Sequence, residues 1–510
     1  MRPGFTPEEL AAPGRPLPVW RRASVLIGVA GSGLLALLCW MATQRMGYVG
    51  LVLFCGALAF LGVLVPISFR APQVPLLFWL FSLMGFKQLL FMQNAFLPDI
   101  SLDRLVMMWL LVVFSLRTLG QRRPLDRFTT LDWLVLLQAV YMVVQASVMN
   151  PTVFNLLQRA YLYPCVAYFM ARYLIRERKW IAAAFWLLAV LEIYYFVTSI
   201  AEKHHFAALV WPKNILDPSA GLWFAGRSRG IFLQCGVFGT IIGMLLCVLL
   251  YLALTMRNRV ARILFYASLA PAALGLYYTY TRGSWLAGIL SLLAMGALGW
   301  RAYGAALLRI GLVGVLAIGL GFFGYAQDRF AQKRMKTEGT VTGRINTMTT
   351  SLRIFRDHPV FGAGFFRYNE IKQEYRNTFS VPIFGTIKRS QDDTASLHDI
   401  YLGKLAETGL VGMGLQMGIY VLLARLLWRK LHPPTPDDHV ARFMLPAIGG
   451  MMVGYLVGGL AINYAYFDSV NGLFMFLVGA VVGYEPPRPV PEAAAELTIV
   501  PSPVVAGQRA

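Results

Sequence analysis

The chain has 510 residues, of which 57% are hydrophobic and 14% charged, with 46 Lys and Arg against 25 Asp and Glu. A soluble domain carries roughly a quarter charged residues, so this composition excludes a disordered chain and disfavours a large soluble enzyme; the apolar residues lie in long runs, as a bilayer requires. The net charge of +21 has two readings, nucleic-acid binding or arginines kept in cytoplasmic loops, and the positions of the charges decide between them.

Residues 1–22 are polar and Pro-rich and read as a cytoplasmic tail ending in Arg21 and Arg22. Membrane spans are then expected at 23–44, 47–69, 73–93, 103–118, 131–149, 154–175, 180–200, 231–255, 261–280, 283–300, 303–325, 400–428, 441–463 and 466–484, about fourteen in all, the fourth of them short for a crossing. Starting inside and alternating, the inside loops hold Arg117, Arg122, Arg123 and Arg127, then Arg172, Arg176, Arg178 and Lys179, then Arg257, Arg259 and Arg262, then Arg301 and Arg309, and finally Arg425, Arg429, Lys430 and Arg442. The positive-inside rule is obeyed at nearly every turn. Most of the basic excess therefore records topology, and nucleic acid is disfavoured. The expected fold class is an all-α polytopic membrane protein: spans one to eleven in 23–325, a large outer loop at 326–399, spans twelve to fourteen in 400–484, and a disordered cytoplasmic tail at 485–510.

The five cysteines, Cys39, Cys55, Cys165, Cys235 and Cys247, all fall in apolar runs without metal-ligand spacing and read as buried apolar residues. Charges within spans are costly and mark function. Lys87 lies roughly 9 Å deep at helical rise. Arg159 and Glu192 sit in the outer halves of the sixth and seventh spans, Lys404 and Glu407 in the first turns of the twelfth, and Asp103 and Arg104 open the fourth. Arg104 and Lys404 read as snorkelling to the interface. The set predicts a polar, net-cationic cavity open to the outside.

Three motifs share that outer side. GRSRGIFLQCGVFG (Gly226 to Gly239) places Arg227 and Arg229 just above an apolar run. YYTYTRGSWLAG (Tyr277 to Gly288) puts Arg282 and Gly283 in the tight link between two spans, on the side where arginine is disfavoured. The large loop ends in SLHDIYLGKLAETGLVG, with His398 and Asp399 at the start of the twelfth span and Asp399 in N-cap position.

In order and spacing these motifs resemble the O-antigen ligase and Wzy-type polymerase superfamily of bacterial membrane glycosyltransferases. The residues that carry the likeness are Arg229-Gly230, Thr281-Arg282-Gly283-Ser284-Trp285, Gly343-Arg344, Asp357-His358-Pro359-Val360-Phe361-Gly362-Ala363-Gly364, and His398-Asp399-Ile400-Tyr401-Leu402 with Glu407, Gly409 and Gly412. They span roughly 220–430. Two departures stand out: Asp399 replaces the usual Asn or Ser, and Gln234-Cys235 replaces an Asn-Pro, which leaves the alignment of Arg227 against Arg229 open.

The resemblance implies a type C glycosyltransferase fold, an undecaprenyl-diphosphate-linked glycan as donor, and inverting transfer at the periplasmic face of the inner membrane, with no metal or cofactor. Arginines suit a diphosphate leaving group through bidentate charge-assisted hydrogen bonds. Arg229 and Arg282 are expected to hold it, with Arg227, Arg159 or Lys87 in support and Arg344 and Arg353 on donor phosphate or glycan. His398 is the expected general base, with Asp399 beside it. The acceptor is another glycan or lipid A-core, and a flippase and chain-length regulator are expected partners. The reading favours a repeat-unit polymerase over a lipid A-core ligase; a protein O-oligosaccharyltransferase and a transporter of lipid-linked glycans are the alternatives.

Overall fold

The computed structural model describes residues 62–86, 101–121, 126–146, 150–217, 219, 224, 226–312, 339–375, 379–381, 385–387, 399–432 and 438–486. The expected spans at 23–44 and most of 47–69, and the second half of 303–325, lie outside them, as do Lys87 and His398. The chain divides into two units. Within the first, α1 (62–70), α2 (Gln73–Phe81, continued by a π turn at Ser82–Phe86) and α3 (Leu102–Gln121) are apolar helices. The fourth expected span is therefore a full 20-residue helix rather than a short one.

The second unit holds α4 (Thr130–Gln145), α5 (Pro151–Leu157, a π turn at Gln158–Leu162, then Tyr163–Leu174), α6 (Arg178–Lys203), α7 (Cys235–Thr255), α8 (Arg259–Tyr278), α9 (Arg282–Leu298) and α10 (300–312). It continues with α11 (Gly339–Asp357), α12 (Tyr368–Tyr375), α13 (Ile400–Leu431), α14 (Val440–Ala461) and α15 (Asp468–Gly483). Five of the described helices, α6, α7, α8, α13 and α14, are long and apolar enough to cross a membrane. A short antiparallel hairpin, β1 (Phe379–Val381) on β2 (Gly385–Ile387), is a departure from the all-α expectation. Within the segment 326–399, expected as a loop, α11 and α12 are helical.

Helix α7 is hydrophobic on every side and buried along almost its whole length, as a helix at the centre of a bundle must be. It packs against α6, α8, α9 and α14. Small residues allow the closest approach: a Cβ on Gly243 would lie 2.8 Å from the Gly288 Cα of α9. Around this centre the outward faces are apolar and exposed, as with Trp133, Leu137, Val140 and Val144 on α4 and Leu286, Ile289 and Leu293 on α9. Such stripes are what a helix shows to lipid.

The bundle has two distinct ends. At one, Arg172 pairs with the buried Asp132 at 2.5 Å, Asp132 closes a capping box with Thr129, and Lys430 donates to the carbonyls of Val481 and Val482 at the end of α15. These cations lie where topology alone asked for them. The other end gathers the α6–α7 connection, the α8–α9 turn, α11 and the start of α13.

That second end is organised by a break. Gly409, inside α13, has φ 63° and ψ −162°, so the helix stops and restarts there. A broken helix leaves backbone groups that hydrocarbon cannot satisfy. Residues 359–364 satisfy them. The amides of Leu410 and Val411 donate to the carbonyls of Pro359 (2.9 Å) and Val360 (3.1 Å), while Ala363 and Gly364 donate to those of Ala406 (3.0 Å) and Glu407 (2.9 Å). The Tyr141 hydroxyl donates to the Thr408 carbonyl (2.8 Å), and Gln145 bonds the same loop at Phe361 and Phe365.

A Cβ at Gly409 would meet the Val360 carbonyl oxygen at 2.3 Å, and one at Gly362 the Glu407 carbonyl carbon at 2.3 Å. Both glycines also occupy positive φ. Gly409→Ala and Gly362→Ala are each expected to destabilise the protein by about 2 kcal/mol or more, seen as a lowered thermal midpoint in detergent. Gly414→Ala, whose Cβ meets nothing within 4 Å, should leave that midpoint in place.

Candidate functional site

The first motif is tied to its surroundings through Arg227, Ser228 and Arg229. The Ser228 side chain donates to the Ser199 carbonyl of α6 (2.8 Å), and its amide to the Tyr278 carbonyl of α8 (3.0 Å). Arg227, half-buried, donates to the carbonyls of Thr279 (3.0 Å) and Tyr280 (3.3 Å) and to the Thr281 hydroxyl. The first and second motifs are thus one structure, with Arg227 directly beneath the turn that presents Arg282.

Arg229 is placed differently. It is buried, its Nε lies 3.4 Å from Glu202, and its Nη2 donates to the carbonyls of Ile215 (2.8 Å) and Asp217 (3.3 Å). Direct contact with substrate was the expectation for this residue. Instead its guanidinium is turned onto the protein's own loop, because Glu202, at the end of α6, supplies the counter-charge that a buried arginine needs.

In the second motif, all the neighbours of Arg282 face inward. Gly283 presses on Ala461 of α14, Ser284 donates to the Gly236 carbonyl (2.9 Å), and the Trp285 indole donates to the Leu276 carbonyl (3.0 Å) while stacking on Tyr277. Tyr280, buried at φ 45°, holds the turn in a conformation rare for a non-glycine residue. Arg282 is the exposed charge of the motif, at the first position of α9, where the helix dipole adds to its positive potential. Lys203 sits over the Tyr280 ring at 4.6 Å and brings a further cation to the same turn.

Arg344 approaches from α11. Burial, and secondarily the charge of Arg282, lower its pKa from the usual arginine value. Its Nε is buried and has no hydrogen-bond partner among the described residues. Arg344 lines a small pocket of about 20 Å³ with Thr347, Met348, Ser351, Asp399, Leu402 and Leu460. Asp399 caps α13, its Oδ1 accepting from the amides of Tyr401 (2.7 Å) and Leu402 (3.1 Å). Burial raises its carboxyl pKa above the ordinary value, opposed by those two amides. His398 directly precedes it in the chain.

The remaining candidates are dispersed. Arg353 donates to the Tyr375 carbonyl (3.1 Å) and ties α11 to α12. Arg159 lies in the π turn of α5, and Glu192 is fully buried on α6 with neither oxygen bonded among the described residues. Lys404 and Arg104 do not reach outward as snorkelling would require: they are 8% and 4% exposed. Lys404 faces a second cavity, of about 50 Å³, beside Gln138, Gln416, Tyr455 and Asn471, with the Tyr161 ring 4.7 Å away. Glu407 accepts from the Tyr466 hydroxyl (2.8 Å) and the Tyr368 amide (3.4 Å), so it fastens the outer loop to α13. Cys165, Cys235 and Cys247 are free thiols.

The stretch from residue 267 to 417, which holds the Arg282 turn, Arg344, the loop at the break and Asp399, matches the O-antigen ligase family. Over that stretch the chain is similar to the O-antigen ligase family, which supports the resemblance to the O-antigen ligase/Wzy superfamily. No curated protein matches the chain. The matched segment holds Arg282, Arg344 and Asp399, while Arg227, Arg229, Glu202 and Lys203 come from before it. Glu202 and Lys203 are the two residues that sequence reasoning missed; the available signal was a charged pair at the outer end of a span.

The Asp399 carboxyl has a direct consequence. A carboxyl whose pKa is raised on folding contributes stability in its protonated form, which is lost as pH rises through the folded value. Asn caps a helix about as well as Asp. Asp399→Asn is therefore expected to keep the thermal midpoint at acidic pH and to raise it, relative to wild type, above the carboxylate range. Melting curves across pH check this.

Proposed function

We propose that this protein is a membrane glycosyltransferase of surface-polysaccharide assembly that moves a glycan from an undecaprenyl-diphosphate carrier to a sugar hydroxyl at the periplasmic face. One observation carries the reading: Arg344, half-buried and with its Nε unbonded among the described residues, lines a pocket with the capped start of α13 and lies near enough to the exposed Arg282 to feel its charge. Such an arrangement is costly when empty and favourable around a polyanion. The family match over the same residues supports it.

In this reading Arg282 and Arg344 hold the diphosphate, and Arg227 steadies the turn from below. The acceptor hydroxyl attacks the anomeric carbon opposite the carrier. The bond to the diphosphate oxygen breaks with its electron pair on that oxygen, where the arginines neutralise the growing charge. His398 takes the acceptor's proton, and the anomeric configuration inverts. A second lipid-linked repeat is the favoured acceptor over lipid A-core.

Purified protein in nanodiscs, supplied with a lipid-diphosphate glycan, tests this. Arg282→Ala and Arg344→Ala are each expected to lower kcat by about 100-fold, the usual scale for one donor at a developing oxyanion. His398→Ala should abolish the rise of activity with pH through the imidazole range. Undiminished transfer by both arginine variants would overturn the assignment. A ladder of products from lipid-linked repeats alone marks a polymerase, and a single addition to lipid A-core marks a ligase.

A further inference from the structure

Outside the proposed diphosphate site, the Glu202 side chain is 9% exposed and both of its oxygens are engaged. Its Oε2 accepts from two successive amides, those of Arg229 (2.9 Å) and Gly230 (2.9 Å), while Oε1 lies 3.4 Å from the Arg229 Nε. Arg229 in turn holds the carbonyls of Ile215 and Asp217. Ser228 joins the same loop to α6 and α8, and Arg227 joins it to the carbonyls of Thr279 and Tyr280 below Arg282. One carboxylate thus fixes the loop on which the Arg282 turn rests.

We propose that Glu202 is a positioning residue for transfer, that Arg229 acts with it as the other half of a clamp, and that Arg227 transmits the clamp to Arg282. The proposal rests on the transferase reading above. Gly230 supports it sterically: a Cβ there would lie 2.4 Å from the Phe238 ring, so the chain passes too close to α7 for the loop to re-seat elsewhere. Without Glu202, two adjacent amides and a buried guanidinium lose their shared acceptor, and the loop opens.

The loop leads straight into α7, where Cys235 is 1% exposed; Cys247, just over three turns further along the helix, is fully buried. These native thiols report opening and overall integrity separately. Maleimide labelling, read residue by residue by mass spectrometry, is compared for wild type, Glu202→Ala, Glu202→Gln, Arg229→Met and the Glu202→Ala/Arg229→Met double variant, alongside kcat and KM for the lipid-diphosphate donor.

Glu202→Ala is expected to speed Cys235 labelling by at least roughly tenfold, as local opening does, with Cys247 still protected. Its kcat should fall by about 10- to 100-fold, the scale of a small misplacement of reacting groups, with a lesser change in KM. Glu202→Gln, which keeps an acceptor oxygen, should recover most of both. Arg229→Met should add little once Glu202 is gone. Wild-type labelling in Glu202→Ala, or full additivity of the two substitutions, overturns the clamp. If the wild-type protein transfers no glycan, the transferase reading fails, while the labelling still judges the clamp. Loss of Cys247 protection in Glu202→Ala moves that judgement to Glu202→Gln, where unchanged Cys235 labelling with wild-type kcat supports the shared acceptor and impaired kcat without opening refutes it.

Discussion

A helix that breaks inside an apolar bundle has to find partners for its orphaned amides and carbonyls, and this requirement shapes the functional end of the protein. At Gly409 the partners come from residues 359–364, four backbone hydrogen bonds of 2.9–3.1 Å that join the outer loop to α13. Unmade, each such bond would cost several kcal/mol in hydrocarbon. The location of the plug fixes α11, which ends just before it, and α11 carries Arg344. The turn of α13 above the break begins at Asp399. The pocket between Arg344 and Asp399 thus follows from the break rather than from any attraction between those two residues.

The other half of the site is built on a different principle. Arg282 is held by everything around it except its own side chain: Gly283 against α14, Ser284 on α7, Trp285 on the α8 terminus, Arg227 beneath. A charge fixed in this way needs little reorganisation when an anion arrives.

Much of this was legible in the sequence. The order of motifs and the arginines set against the positive-inside rule led to Arg282, Arg344 and Asp399, which the structure brings together at one end of the bundle. Arg229 was not legible, because its role depends on Glu202, and their pairing at 27 residues' separation leaves no periodic trace. The break in α13 was hidden for another reason: a glycine in an apolar run is ordinary in membrane helices, and only the positive φ distinguishes this one. Lys404 read as a surface cation from its place near a span end, yet the π turn of α5 brings Tyr161 against it and closes a polar cavity around it. The helices inside the outer loop escaped notice because α11 is too polar to stand out among spans.

The break also has a bearing on how the protein is made. The residues that complete α13 precede it in the chain. Synthesis therefore makes residues 359–364 before the helix that needs them. Had the order been reversed, α13 would wait in lipid with its backbone exposed. As it stands, the partner of the break is already made when the nascent helix appears. Chain order here serves as a chaperone that the sequence carries within itself.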